Sequence, residues 1–327
     1  MAIKFFDMFA GIGGFRSGLE AIGGFECIGY CEIDKYAKQA YEAMYDTGGE
    51  LYFDDARKIV PEQLPDFDLL VGGFPCQSFS IAGARKGFDD TRGTLFFEIA
   101  RIAAVKKPKY LFLENVPGLL NHDKGRTFET ILRTLDGLGY NVCWQVLNIK
   151  NFGLLIKAKT KDGYQVAYPG DSIDTAFSGQ NSRRGRVGSQ IAHTLTTSAT
   201  QAYYFIDLNP DPKLTEIARC ITARHDSGIS NRKGEHSGVF VESTNFTDDE
   251  KFAVAFIEPN GEVHIGRIRK LTPRECWRLQ GFTDDQFDKA KATRLSDSRL
   301  YKMAGNAVTV NVISEIGKII KKVNDKN

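Results

Sequence analysis

Short apolar runs, separated by glycine turns and amphipathic stretches, set the pattern of the first part of the chain. Ile3-Lys4-Phe5-Phe6-Asp7-Met8-Phe9 reads as a buried strand, Ala10 to Gly14 as a glycine turn, and Phe15 to Ile22 as a helix with Leu19 and Ile22 on one side. Phe25 to Tyr30 forms a second strand that runs into Cys31-Glu32-Ile33-Asp34, and Phe67 to Val71 and Tyr110 to Leu113 form two more. Strand, glycine turn and helix in that order open a doubly wound α/β sheet, whose ligands lie beyond the carboxyl ends of the strands.

The pattern changes after about residue 160. From there to about residue 266 the chain is richer in Gly, Ser, Thr and charge, with only short strand-like runs. Helical signals return at Thr272-Pro273-Arg274-Glu275: a Thr cap, a Pro in the first turn and a Glu three residues after the cap make a capping box, and Gly281-Phe282 marks the stop. Gly305-Asn306-Ala307 reads as a turn into a last helix with Val308, Val312, Ile316, Ile319 and Ile320 on one face. That helix is expected to return to the N-terminal sheet, with the basic residues after Lys318 as a solvated end.

Composition narrows the class without naming a function. The 327 residues are enough for a full core, and 42% hydrophobic and 26% charged residues are ordinary for a globular protein. With a net charge of +2, any nucleic-acid surface must come from local clustering. Six scattered cysteines, without paired spacing, argue against structural zinc and against a disulfide framework, and fit a reducing cytoplasm. No apolar run approaches the roughly 18 residues of a membrane span, and the N-terminus lacks a signal-peptide pattern.

Three features carry candidate chemistry. The glycine turn lets a ligand approach the backbone, but it is not the dinucleotide fingerprint. Glu32 follows about 20 residues later, where an acid can accept from ribose hydroxyls. With Asp55 after the next apolar pair, this favours an adenosine-containing cofactor without a long phosphate chain. Cys76 follows the third strand in Gly73-Phe74-Pro75-Cys76-Gln77-Ser78-Phe79-Ser80, and Glu114 ends the fourth, so a thiol and a carboxyl can converge on one small heterocycle. Taken alone, a single Cys is more often a small buried hydrophobe.

Five stretches in order resemble the DNA cytosine-5 methyltransferase family of bacterial and phage type: Asp7 to Gly14, Gly73 to Ser80, Glu114-Asn115-Val116, Arg269 to Cys276 and Gly305-Asn306-Ala307-Val308. The resemblance implies a Rossmann-like catalytic domain dependent on S-adenosylmethionine (residues 1–158 and 295–327). It also implies a smaller, mostly β target-recognition domain with its hinge (residues 159–294). It implies that Cys76, framed by Pro75 and Gln77, is the nucleophile that adds to cytosine C6, and that Glu114 serves cytosine N3. The cofactor would meet Phe9, Ala10, Gly11, Ile12, Gly13 and Gly14, then Glu32, Ile33, Asp55, Ala56, Leu95, Asn306 and Ala307. Arg85, Lys86 and Arg92, on a loop from Gln77 to Arg92, and Arg183, Arg184 and Arg186 would meet DNA. The target cytosine would be flipped out of the duplex.

The resemblance further implies a cytoplasmic monomer, bacterial or phage-encoded, that acts on double-stranded DNA without a metal or a membrane; a cognate restriction endonuclease would act separately. One departure stands out. After Val146 to Gly153 the family carries a Gln-x-Arg-x-Arg strand, and this chain continues Leu154-Leu155-Ile156-Lys157 without it. Loss of one charge-assisted contact to the base would cost on the order of 1.5–3 kcal/mol. A catalytically impaired DNA-binding relic and an RNA cytosine-5 methyltransferase therefore remain open as alternatives.

Overall fold

The computed structural model describes residues 2–75, 95–147 and 270–326 in full and, between residues 154 and 269, the backbone of the strands named below. The chain divides into two compact units. The first comprises Met1–Leu147, Phe282–Leu295 and Ala307–Asn327, and the second Asn148–Gly281 and Ser296–Asn306. Residues 282–294, grouped with the recognition domain in the sequence reading, thus sit in the first unit.

The first unit is built on β1 (Ile3–Met8), β2 (Phe25–Cys31), β3 (Leu51–Phe53), β4 (Leu69–Gly73) and β5 (Tyr110–Glu114), in the spatial order β3-β2-β1-β4-β5. All four pairings are parallel. Parallel strands need crossovers, and their helices cover both faces of the sheet. On β1 the alternation is direct: Phe5 points into a core with Phe15, Leu19, Val71 and Ile313, while Phe6 and Met8 point into another with Leu70, Phe96, Ile99 and Ile131. The first core is closed by α1 (Gly14–Ile22) and α8 (Val310–Asn324), the second by α3 (Leu95–Lys106) and α4 (Arg126–Gly137). Between β2 and β3 lies α2 (Lys35–Met44).

The order reverses between β1 and β4. β1 is followed by a neighbour on one side and β4 pairs on the other, so the connections leaving these two strands diverge and open a crevice at their carboxyl ends. The glycine turn follows β1, and Phe74-Pro75-Cys76 follows β4.

One reading of the C-terminal region needs correction. Gly305 and Asn306 form no turn; they close helix α7 (Asp297–Asn306). The residues after Lys318 continue α8 to Asn324, where the Lys321 ammonium donates to the Gly23 carbonyl at 3.0 Å. That carbonyl lies at the end of α1, and a cation there suits both partners. The return of α8 to the sheet is tight: a Cβ on Gly18 would lie 2.6 Å from Ile313, and Ser314 Oγ donates to the Gly18 carbonyl at 3.0 Å.

In the second unit, β6 (Leu154–Lys157) pairs antiparallel with β7 (Tyr164–Ala167), and β8 (Ser172–Asp174) with β9 (Arg186–Gly188). A five-stranded antiparallel sheet joins β10 (Tyr204–Asp207), β11 (Leu214–Thr215), β12 (Ser237–Glu242), β13 (Val254–Ile257) and β14 (Val263–Lys270), in the order β11-β10-β12-β14-β13. Next comes α5 (Pro273–Leu279), with the Thr272–Glu275 capping box formed as the sequence predicts. Trp277 Nε1 donates to the Leu300 carbonyl at 2.9 Å, which fastens α5 to α7. Helix α6 (Asp284–Ala292), in the first unit, lies between α5 and α7 in the chain. Among the described residues, no helix is long and apolar enough to cross a membrane.

Candidate active site

The turn after β1 is held in an unusual conformation. Phe9, Gly11 and Gly13 all have positive φ, at 56°, 57° and 76°. For Phe9 this backbone is costly and is retained only where its surroundings impose it. Ala10 N–H donates to the Cys31 carbonyl at 3.0 Å, and Gly13 N–H to the Ala10 carbonyl at 2.7 Å. Glu32 closes the loop: one carboxylate oxygen accepts from Gly11 N–H at 2.7 Å and the other from Asp34 N–H at 2.7 Å. Burial pushes the Glu32 carboxyl above its ordinary value, against these backbone donors, which favour the charged form.

Those residues fit an adenosine bearing a methionyl group. A Cβ on Gly11 would meet nothing within 4 Å, so there is open space directly over the backbone. Ile33 beside Glu32 is 70% exposed, an apolar surface available to a base. The Glu32 carboxylate, with about four acceptor sites, keeps capacity for a ribose hydroxyl beyond its backbone bonds. Asp55 is arranged differently. Its carboxylate caps the short helix Ala56–Lys58 through Arg57 N–H at 3.0 Å and forms a fork with the Arg57 guanidinium at 2.7–3.1 Å. The Arg57 hydrogen bonds hold the Asp55 carboxyl below its usual range. Ala56 is buried, and its carbonyl accepts from Arg101 at 3.1 Å; Leu95 is the first residue of α3. Ala307 belongs to the first unit and Asn306 to the second.

Glu114 ends β5, in register with Gly73 at the end of β4. A Cβ on Gly73 would lie 3.1 Å from a Glu114 carboxylate oxygen, so only glycine leaves that carboxyl its present room. Burial raises the Glu114 pKa, which favours a protonated carboxyl. Asn115, next in the chain, donates from Nδ2 to the Phe74 carbonyl at 2.6 Å and accepts from Val116 N–H at 2.9 Å. The acid is thus tied to the segment that runs through the exposed Pro75 towards Cys76. Cys76 itself, Gln77, Arg85, Lys86, Arg92, Arg183 and Arg184 lie outside the described residues, and of Arg186 only the backbone, in β9, is described.

Several residues of this region were not singled out from sequence. Asn115 had a signal, its place directly after the acid. Asp7 opens the first of the stretches that resemble the family, without a role assigned to it, and Arg16 had no signal. Arg16 is buried, bridged to both carboxylate oxygens of Glu50 at 2.8 Å and to Glu20 at 2.7 Å. Asp7 is fully buried, and Tyr41 donates to one of its oxygens at 3.3 Å.

An open parallel sheet with a glycine turn at its switch point and a backbone-tethered acid after the second strand is the architecture of a nucleoside-cofactor site, and the likeness to known proteins makes the class a Rossmann-like methyltransferase dependent on S-adenosylmethionine. The sequence profile of the C-5 cytosine-specific DNA methylases matches residues 3–155 and 173–322. The chain belongs to that family, and its enzyme class is DNA (cytosine-5-)-methyltransferase. It is 35% identical to the type II methyltransferase M.HhaI of Haemophilus parahaemolyticus over 317 residues, covering 96% of this chain and 93% of that one. It is 32% identical to the orphan methyltransferase M.SPRI of Bacillus phage SPR, covering 97% of each. The crystal structure of S. pombe Dnmt2 methyltransferase superposes with a TM-score of 0.60 at 14% identity, over 98% of this chain and 99% of that one, a likeness of fold.

Proposed function

We propose that this chain methylates C5 of a flipped-out cytosine in a specific duplex sequence, through a transient bond between Cys76 Sγ and cytosine C6. The supporting observation is the placement of Glu114. It sits beside Gly73, three residues before Cys76, in surroundings that favour its protonated form.

Cytosine C5 is too weak a nucleophile to take a methyl group unaided. Addition of the Cys76 thiolate to C6, with Glu114 holding a proton at N3, converts the ring to an enamine that is nucleophilic at C5. S-adenosylmethionine, when bound, supplies a sulfonium methyl group. Loss of the C5 proton and elimination of Cys76 then restore the aromatic ring and leave 5-methylcytosine. Glu32, Ile33 and the turn from Phe9 to Gly14 hold the cofactor, with Asp55, Ala56, Leu95, Asn306 and Ala307 around it. Arg85, Lys86 and Arg92 meet phosphates at the flipped base, and Arg183, Arg184 and Arg186 in the second unit read or anchor the duplex.

The experiment is transfer of labelled methyl from S-adenosylmethionine to mixed-sequence duplex DNA, with Cys76→Ser as control. Folded wild-type protein that transfers nothing, yet binds DNA and cofactor, would establish instead the impaired relic suggested by the missing Gln-x-Arg-x-Arg strand. Preference for tRNA over duplex as acceptor would sink the DNA reading. A covalent complex with 5-fluorocytosine DNA, absent in Cys76→Ser, tests the adduct separately.

A further inference from the structure

One polar chain runs from α6 to the glycine turn, and its direction can be worked out. Gln286 is the third residue of α6, and its Oε1 accepts from Thr283 N–H at 3.0 Å, completing a capping box. The other end of the same amide, Nε2, leaves α6 and donates to Ser17 Oγ on α1 at 2.7 Å. Ser17 Oγ lies 2.5 Å from the Tyr45 hydroxyl, a pair in which either atom could donate. The Tyr45 hydroxyl also lies 2.8 Å from the Gly13 carbonyl and 3.2 Å from the Ile12 carbonyl. A carbonyl can only accept, so Tyr45 donates to the turn and must accept from Ser17. The sequence of donors is therefore fixed: Thr283 N–H, Gln286 Nε2, Ser17 hydroxyl, Tyr45 hydroxyl, carbonyls of Ile12 and Gly13. Bonds aligned head to tail in this way polarise one another.

The chain ends on the carbonyls of Ile12 and Gly13, within the turn. Gly13 has φ of 76°, and a Cβ there would lie 2.5 Å from the Tyr45 ring, so ring and hydroxyl together hold that peptide. Among the described residues, the Tyr45 ring also meets the Arg16 guanidinium, 4.6 Å from its centroid, and the Tyr41 ring at 4.8 Å. Neither reaches the turn carbonyls in place of the hydroxyl. In the chain, α6 lies between two stretches of the second unit, residues 148–281 and 296–306.

We propose that Gln286, Ser17 and Tyr45 are positioning residues for S-adenosylmethionine: through them α6 sets the geometry of the Ile12–Gly13 and Gly13–Gly14 peptides and hence the affinity of the turn for cofactor. This rests on the assignment of residues 9–14 to the cofactor. The informative variants are Tyr45→Phe, which keeps the ring, and Gln286→Glu, which keeps an acceptor for Thr283 N–H but removes the donor to Ser17. Cofactor dissociation constants are measured by calorimetry without DNA, with steady-state kinetics and thermal midpoints alongside. Loss of a hydrogen bond of ordinary net strength corresponds to about a three- to ten-fold rise in Kd. We expect that rise in each variant, no further rise in the double variant, KM for cofactor rising in parallel, and kcat within about two-fold. Amide exchange at Gly11 to Gly14 in the cofactor-free protein should speed up in both. Thr272→Ala, a cap substitution in the second unit, supplies a destabilised control with unchanged Kd. Wild-type protein that binds no S-adenosylmethionine would overturn the site assignment and the relay with it. Normal wild-type binding with unmoved Kd in both variants, or losses that multiply in the double variant, would overturn the relay alone.

Discussion

At the scale of single residues, Asp7 shows how the sheet places a carboxyl where water would normally be needed. It lies on β1 two residues after Phe5, so the period of the strand directs it to the same covered face, and one of its oxygens, Oδ1, finds no hydrogen-bond partner among the described residues. Burial pushes its pKa up to about 7, while Arg16 and Tyr41 pull the other way. The ordinary value of 3.8 describes the unfolded chain, so between pH 4 and 7 the folded protein binds more protons at this site. The stabilisation is complete below the unfolded value and is lost as pH rises through the folded one, at up to about 1.4 kcal/mol per pH unit. Asp7→Asn should therefore flatten the fall of stability across that window. Urea midpoints of both proteins at pH 5 and pH 8 test this; parallel pH dependences would refute it. Arg16 is the opposite case, a buried charge with good partners. Removing one partner of a buried pair leaves the others exposed to the full desolvation cost, so Arg16→Ala should lose about 3–5 kcal/mol, measurable in the same titrations.

At the scale of elements, the sequence was most legible where one hydrophobic period ran unbroken. β1, α1, β2 and β5 lie within one residue of their expected bounds, and the α5 capping box formed as written. The apolar run Phe67–Val71 ends two residues short of β4, because glycines carry no hydrophobic signal. Gly72 and Gly73 nonetheless pair in the sheet, since a Cβ on Gly72 would lie 2.9 Å from the Met8 carbonyl. α3 leaves no signal for the converse reason. It is apolar nearly all round, with Phe96, Ile99, Ala100, Ile102 and Ala103 buried, so no amphipathic stripe marks it. Glu32 could be picked out by its spacing, but its use of both oxygens on backbone amides follows from how the turn closes, which spacing does not show. The β4–β5 pairing carries the prediction at this scale. Gly73→Ala places a methyl group 3.1 Å from the Glu114 carboxylate and should displace the acid with little loss of fold. We expect methyl transfer to fall at least ten-fold with Tm within a few degrees. Undiminished transfer would show that the acid has room to spare.

At the scale of the whole molecule, the division of the chain governs what can be removed. The first unit is assembled from three separate segments, and its last segment closes the face that its first segment exposes. Val308 meets Gly14, Ile313 meets Gly18, and Gly317 sits against Leu19 and Ile22, so α1 and α8 touch through glycines on both sides. Glycine is costly inside a helix, by roughly 0.5–1 kcal/mol against alanine, and three in one contact make sense only if close packing returns more. Without α8, Phe15 and Leu19 would lose their cover, and the Gly18 carbonyl its donor from Ser314. A chain ending at residue 307 keeps every residue assigned to cofactor and base, so a view of the protein as a set of motifs would leave it active. The packing predicts the reverse: a collapsed, dye-binding species without near-UV circular dichroism, and no cofactor binding. Gly18→Val poses the same question without truncation, because the added side chain starts from a Cβ already 2.6 Å from Ile313. It should destabilise by about 1–3 kcal/mol through overpacking. A truncated chain that binds cofactor normally would mean that the sheet holds together without α8.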